Sequence, residues 1–161
     1  MGVSSSGKST VAGLLASRLG VPFLDGDDVH SPENLRKMSS GIPLTDLDRA
    51  PWLDALASWI GEHEQRGCGG VVACSALKRA YRDRLRSAGR IWFLQLELAP
   101  DLAARRISGR TGHFMPPALL ASQFDALEPL EPDEWGATVS AAGTVGEVMA
   151  AVESLLPRDP G

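Results

Sequence analysis

The sequence predicts an α/β protein of three layers, with helices on both faces of a parallel sheet. Short apolar runs alternate with stretches of helical periodicity along the whole chain, and strands that alternate with helices pair in parallel through right-handed crossovers. A glycine-rich loop stands at the head of the first helical stretch, and acidic residues close the first apolar run. Val11, Leu14, Leu15 and Leu19 recur at helical spacing with Gly20 after them, which predicts a helix over about residues 8–19. Residues 21–24 then read as a buried strand delivering Asp25 and Asp27 at its C-terminal end. Ser31-Pro32 has the form of an N-cap with proline at the first helical position, and that helix stops before Gly41. Leu53, Leu56, Ala57 and Ile60 mark the apolar face of a longer helix over residues 48–66. Residues 69–74 form a second strand candidate, residues 78–87 a charged helix, and residues 91–98 the strongest strand signal. Pro100 opens another helix, and a short strand at 137–140 leads into the capping-box pattern Thr144-Val145-Gly146-Glu147 of a last helix, with a frayed tail after Leu156.

With 161 residues, 43% of them hydrophobic, the chain has the size and composition of a single globular domain, residues 1–161. Neither side of the proline- and acid-rich stretch 128–135 carries a core of its own, so that stretch reads as a loop. A formal net charge of −4 argues against nucleic acid or an anionic membrane as the main partner and favours a small molecule. The chain has no apolar run of membrane-spanning length, and Cys74 within an apolar run reads as a buried reduced thiol, so the expected location is the cytoplasm.

Gly2-Val3-Ser4-Ser5-Ser6-Gly7-Lys8-Ser9 matches the phosphate-binding loop G-x-x-x-x-G-K-[ST] at every required position. Its glycines let successive backbone N–H groups, and the positive end of the following helix, face phosphates. Lys8 would bridge the β- and γ-phosphates of ATP, Ser9 would ligate Mg2+, and Thr10 adjoins them. The expected fold is therefore that of a P-loop kinase. Met1 alone precedes the motif, so the strand that should lead into it, the central one of the sheet, is expected to be absent from this sequence: the start lies downstream of the native one, the favoured reading, or the protein is truncated, or the sheet is built unusually. Asp25 and Asp27 fall in the crevice where open α/β sheets bind ligands; one would hold magnesium through water while the other accepts a proton from an attacking hydroxyl. Both would otherwise be solvated turn residues.

Lys78, Arg79, Arg82, Arg84, Arg86 and Arg90, then Arg105, Arg106 and Arg110, form a basic series. Part of it reads as a solvated helix face; the rest would neutralise phosphate or bind a substrate carboxylate through bidentate guanidinium geometry. Arg110-Thr111-Gly112-His113 reads as part of a lid over about residues 105–118. His30 and His113 are candidates for the site or ordinary surface histidines.

These pieces stand in order with Asn34-x-x-Lys37-Met38, Pro43-Leu44-Thr45-Asp46-x-Asp48-Arg49-x-Pro51-Trp52, Cys74-Ser75-Ala76-Leu77-Lys78-x-x-Tyr81-Arg82, Arg110-x-Gly112-His113-Phe114-Met115 and Ser122-Gln123-Phe124-x-x-Leu127-Glu128-Pro129. Together they resemble the small P-loop gluconokinases over nearly the whole chain. The resemblance implies transfer of the γ-phosphoryl group of ATP to the 6-hydroxyl of D-gluconate, with magnesium, in a homodimer. It implies Asp27 as base, Arg49 as the grip on the acid, and His30 in the substrate pocket. Lys78, Arg82 and His113 are further substrate-side candidates, and Arg106 and Arg110 would serve the adenine side and the transferring phosphoryl group. Ser5 departs from the resemblance, because that loop position usually holds glycine. A shikimate-type kinase of the same architecture and a catalytically silent nucleotide-binding module are the rival readings.

Overall fold

The computed structural model describes residues 1–109 and 118–157. Helix α1 (Lys8–Leu19) follows the glycine-rich loop directly, and β1 (Phe23–Asp25) runs parallel to β2 (Val71–Ala73) with Leu24 opposite Val72. Between them lie α2 (Pro32–Ser39), whose Ser31 hydroxyl accepts from Asn34 N, and α3 (Asp46–Gln65). After β2 come α4 (Arg79–Arg86), β3 (Phe93–Glu97), α5 (Pro100–Ser108) and α6 (Ala118–Ala126). Strand β4 (Gly136–Ser140) pairs in parallel with β3 along its full length, and α7 (Val145–Leu155) closes the described fold.

The elements follow from local chemistry. The capping box predicted at Thr144 and Glu147 forms, and a second one joins Thr45 to Asp48, starting α3 two residues earlier than its apolar periodicity suggested. Strand β2 is shorter than its apolar run: pairing begins at Val71, and the Trp59 ring occupies the space where a side chain on Gly70 would stand. Helix α6 was not legible from periodicity. Its buried face carries Gln123 beside Leu119 and Leu120, and a polar residue on that face breaks the apolar pattern.

Two cores on opposite faces of the strands make the three layers. Val11, Leu15, Leu96, Val139, Val148 and Val152 pack one side, with Val71 against them. Trp52, Leu53, Leu56, Tyr81 and Leu85 pack the other, with Leu24 and Val72 against them. Adjacent Val71 and Val72 thus serve opposite layers, as the period of two in a strand requires.

The expected parallel α/β arrangement is the one observed, but the strands fall into two pairs that share no ladder. Met1 stands between them. Its ammonium donates to Leu94 O at 2.5 Å, its carbonyl accepts from Leu96 N at 2.9 Å, and Gly2 N donates to Ser75 O at 3.1 Å. Next to it an apolar cavity of about 380 Å3 runs between β2 and β3, lined by Val72, Leu94, Leu15 and Ile60 among others. Burial in this slot pushes the Met1 amine down to about 6.

Candidate active site

The glycine-rich loop leaves the strand layer at Gly2 and re-enters regular structure at α1, whose first turn begins with Val11 N donating to Gly7 O. Its fold is held from within. Lys8 Nζ arches back to donate to Val3 O at 2.8 Å, and Ser6 N donates to the same oxygen at 3.4 Å. Ser5 takes a left-handed backbone with φ 62. A residue with a Cβ costs about 1 kcal/mol there, which is the physical reason glycine is expected at that position. The hydroxyls of Ser5 and Ser6 are buried without a hydrogen-bond partner among the described residues. Buried donors left open beside a helix N-terminus suit an anionic ligand.

The facing wall is built by the end of β1. Asp25 Oδ1 accepts from Asp27 N at 3.1 Å and starts a short 3-10 turn over Gly26–Val29. Gly26 is required by close approach, since a Cβ there would meet Ala73 O at 2.7 Å. Trp52 Nε1 donates to Gly26 O at 2.7 Å and fixes the turn from α3. The Trp52 ring in turn carries His30, stacked at 4.7 Å between centroids and 7° between planes. Burial, reinforced by the Arg49 cation, lowers the His30 imidazole to about 4. The neutral ring offers one donor and one acceptor at neutral pH, and its Nδ1 is buried with no partner among the described residues.

Loop and wall meet around a cavity of about 60 Å3, much smaller than the strand slot but the one where the chemistry converges. Ser4, Ser5, Gly7, Lys8, Ser9 and Thr10 line one side, and Asp27, His30 and Arg49 the other. Gly2, Val3 and Ser6 of the same loop are buried and do not line the cavity. Met38, Ser75 and Gln123 also line the cavity without having been assigned roles from the sequence. All three sit in the segments that carry the family resemblance, and that context was the available signal.

Other candidates are placed elsewhere. Arg82 is fully buried and is not available to a substrate: its guanidinium pairs with Glu134 at 2.6 and 2.7 Å and donates to the carbonyls of Glu128 and Pro129 at 3.1 and 3.0 Å. It ties α4 to the loop over residues 128–134, a structural duty that a count of basic residues cannot reveal. Lys78 binds both oxygens of Asp46, at 2.8 and 3.0 Å, and Tyr81 O–H donates to the same carboxylate. This pairing raises the Lys78 ammonium and lowers Asp46 below the usual carboxylate range. Lys78 is therefore engaged beside the pocket rather than lining it, while the Arg49 guanidinium lies 5.8 Å from the Tyr81 ring centroid. Arg106 Nη2 donates to Ala141 O at 2.8 Å, and Asp25 caps its turn without lining the cavity. Arg110, His113 and most of the expected lid lie outside the described residues.

Comparison with known proteins identifies the family and the fold. The family model described as shikimate kinase matches residues 4–123. The chain is 50% identical to a gluconokinase of Gluconobacter oxydans, over 83% of this chain and 76% of that protein. It is 43% identical to a probable gluconokinase of Mus musculus, over 97% and 95% of the two chains. Among solved structures, a sugar kinase from a Janibacter species superposes with a TM-score of 0.92 at 44% identity, covering 96% of this chain and 90% of that one. A gluconokinase from Sinorhizobium meliloti superposes with a TM-score of 0.86 at 44% identity, covering 96% and 88%.

Proposed function

Because the chain belongs to the gluconokinases, within the shikimate kinase family, and is a phosphotransferase, we propose that it transfers the γ-phosphoryl group of ATP to the 6-hydroxyl of D-gluconate to give 6-phosphogluconate. One observation carries the reading: the phosphate loop and the polar trio Asp27, His30 and Arg49 line a single cavity. Asp27 accepts the proton of the attacking hydroxyl or orients it. Arg49 grips the substrate carboxylate, and neutral His30 hydrogen-bonds a substrate hydroxyl without adding charge beside that cation. Lys8 and the loop N–H groups receive the β- and γ-phosphates, with Arg110 and Arg106 completing the nucleotide side.

No group of three or more His, Cys, Asp or Glu forms a metal cage among the described residues. A hydroxyl from Ser9 with a carboxylate acting through water, Asp25, suits magnesium, which keeps most of its water and phosphate ligands. When bound there, the ion would neutralise charge developing between the β- and γ-phosphates. A lid over residues 105–118, a single domain, a homodimer and a cytoplasmic location belong to the same reading, supported by the family resemblance. No helix among the described residues is long and apolar enough to cross a membrane.

A coupled ADP-release assay with gluconate, shikimate and other sugar acids tests this. The expected result is gluconate-dependent turnover that Asp27→Asn lowers by about 10²–10⁴-fold. Turnover with shikimate in place of gluconate would overturn the substrate, and full activity of Asp27→Asn would remove the base.

A further inference from the structure

The peptide unit joining Val3 to Ser4 is gripped at both ends. Its carbonyl oxygen accepts from Lys8 Nζ at 2.8 Å, and its N–H donates to Gln123 Oε1 at 2.6 Å in a buried hydrogen bond spanning 119 residues of sequence. The residue that follows, Ser5, holds the left-handed backbone of the loop, with φ 62. We infer that Gln123 is a positioning residue for phosphoryl transfer: by holding the Ser4 N–H it orients the Val3–Ser4 peptide plane, and with it the phosphate loop and the Lys8 anchor. The inference rests on the loop being the ATP site, as proposed above.

Gln123 can impose a position because α6 is itself held. Leu120 belongs to the large core together with Val3. Leu119, one turn before Gln123, packs on Met38 and Leu44, so the same side of α6 reaches the substrate wall. Beyond the helix, Glu128 N donates to Leu77 O at 2.8 Å and ties down its C-terminal end. The choice of residue also follows from chemistry. A buried N–H needs an acceptor, and a carboxamide supplies one without placing a negative charge in a cavity built for phosphates. Gln123 lines that cavity and is 8% exposed.

The test compares wild type with Gln123→Leu and with Gln123→Met, which is closer in length and guards against a folding defect. Affinity for a non-hydrolysable ATP analogue and for AMP is measured by calorimetry, alongside Tm, kcat and both KM values. Loss of the acceptor leaves the loop free to turn, so analogue affinity and kcat are expected to fall about tenfold or more, while AMP affinity and the KM for gluconate stay within about twofold. Unchanged analogue affinity in both variants would overturn the inference. So would equal loss for the analogue and AMP, or a fall in Tm alone, since each is the mark of a merely structural residue. Absence of gluconate turnover in the wild type would sink the substrate assignment, and the analogue-to-AMP ratio would still decide the role of Gln123.

Discussion

Arg49 and Arg82 are the same residue type in opposite surroundings, one lining the cavity and the other fully buried. Arg82 is fully buried, and its guanidinium is matched by the Glu134 carboxylate and by backbone carbonyls. Arg49 is half-buried, lines the cavity and forms no ion pair among the described residues. A guanidinium with its donors satisfied inside the protein is a fastener; one left open toward a cavity is placed to receive a ligand, the role proposed for Arg49. The surroundings repeat the contrast. The buttress around Arg82 satisfies its polar groups internally, whereas the pocket leaves Ser5 Oγ, Ser6 Oγ and His30 Nδ1 open among the described residues.

The contrast is broken most severely from the buttress side. Arg82→Met removes the main partner of the buried Glu134 carboxylate, leaving it Arg79 Nη1 at 3.8 Å and Glu131 N at 3.0 Å, and should cost about 3 kcal/mol of stability, read by urea unfolding. Adding Glu134→Leu removes the stranded charge and should recover much of that loss; no recovery would mean that the carbonyl contacts, not the ion pair, carry the buttress. On the pocket side, Arg49→Met should lower kcat/KM for gluconate about 100-fold, mainly through KM, with stability changed by no more than about 0.5 kcal/mol. A variant that unfolded would erase the distinction between the two arginines.

A smaller effect sharpens it. His30 is lowered by burial and Arg49 to about 4, while in the unfolded chain it titrates near its ordinary value of 6.5. Between these values the unfolded chain binds more protons, so stability should be full above pH 6.5 and decline as pH falls toward 4. His30→Gln should flatten that part of the stability–pH profile.

Except for α6, the order of helices and strands, the phosphate loop and the capping box at Thr144 were legible because each is written in residues close together in sequence. Asp27, His30 and Arg49, singled out through the segments that resemble gluconokinases, line the cavity with the loop, and their roles there are the ones proposed above. Arg82 misled because basic residues at helical spacing look alike until burial is known. Gln123 stayed without a role because its partner, Ser4, lies 119 residues away.

By itself, then, the sequence determined the phosphate-loop chemistry, the alternation of strands and helices, and the kinase family to which the chain belongs. Local spacing suffices for these, since a turn, a cap or an apolar face needs only near neighbours. The tertiary structure alone decided which cations are open and which are consumed, that Ser5 bears a left-handed backbone, that burial beside Arg49 keeps His30 neutral, and that α6 grips the loop through Gln123. Each of these depends on burial and on partners distant in sequence, and neither is encoded in a local pattern.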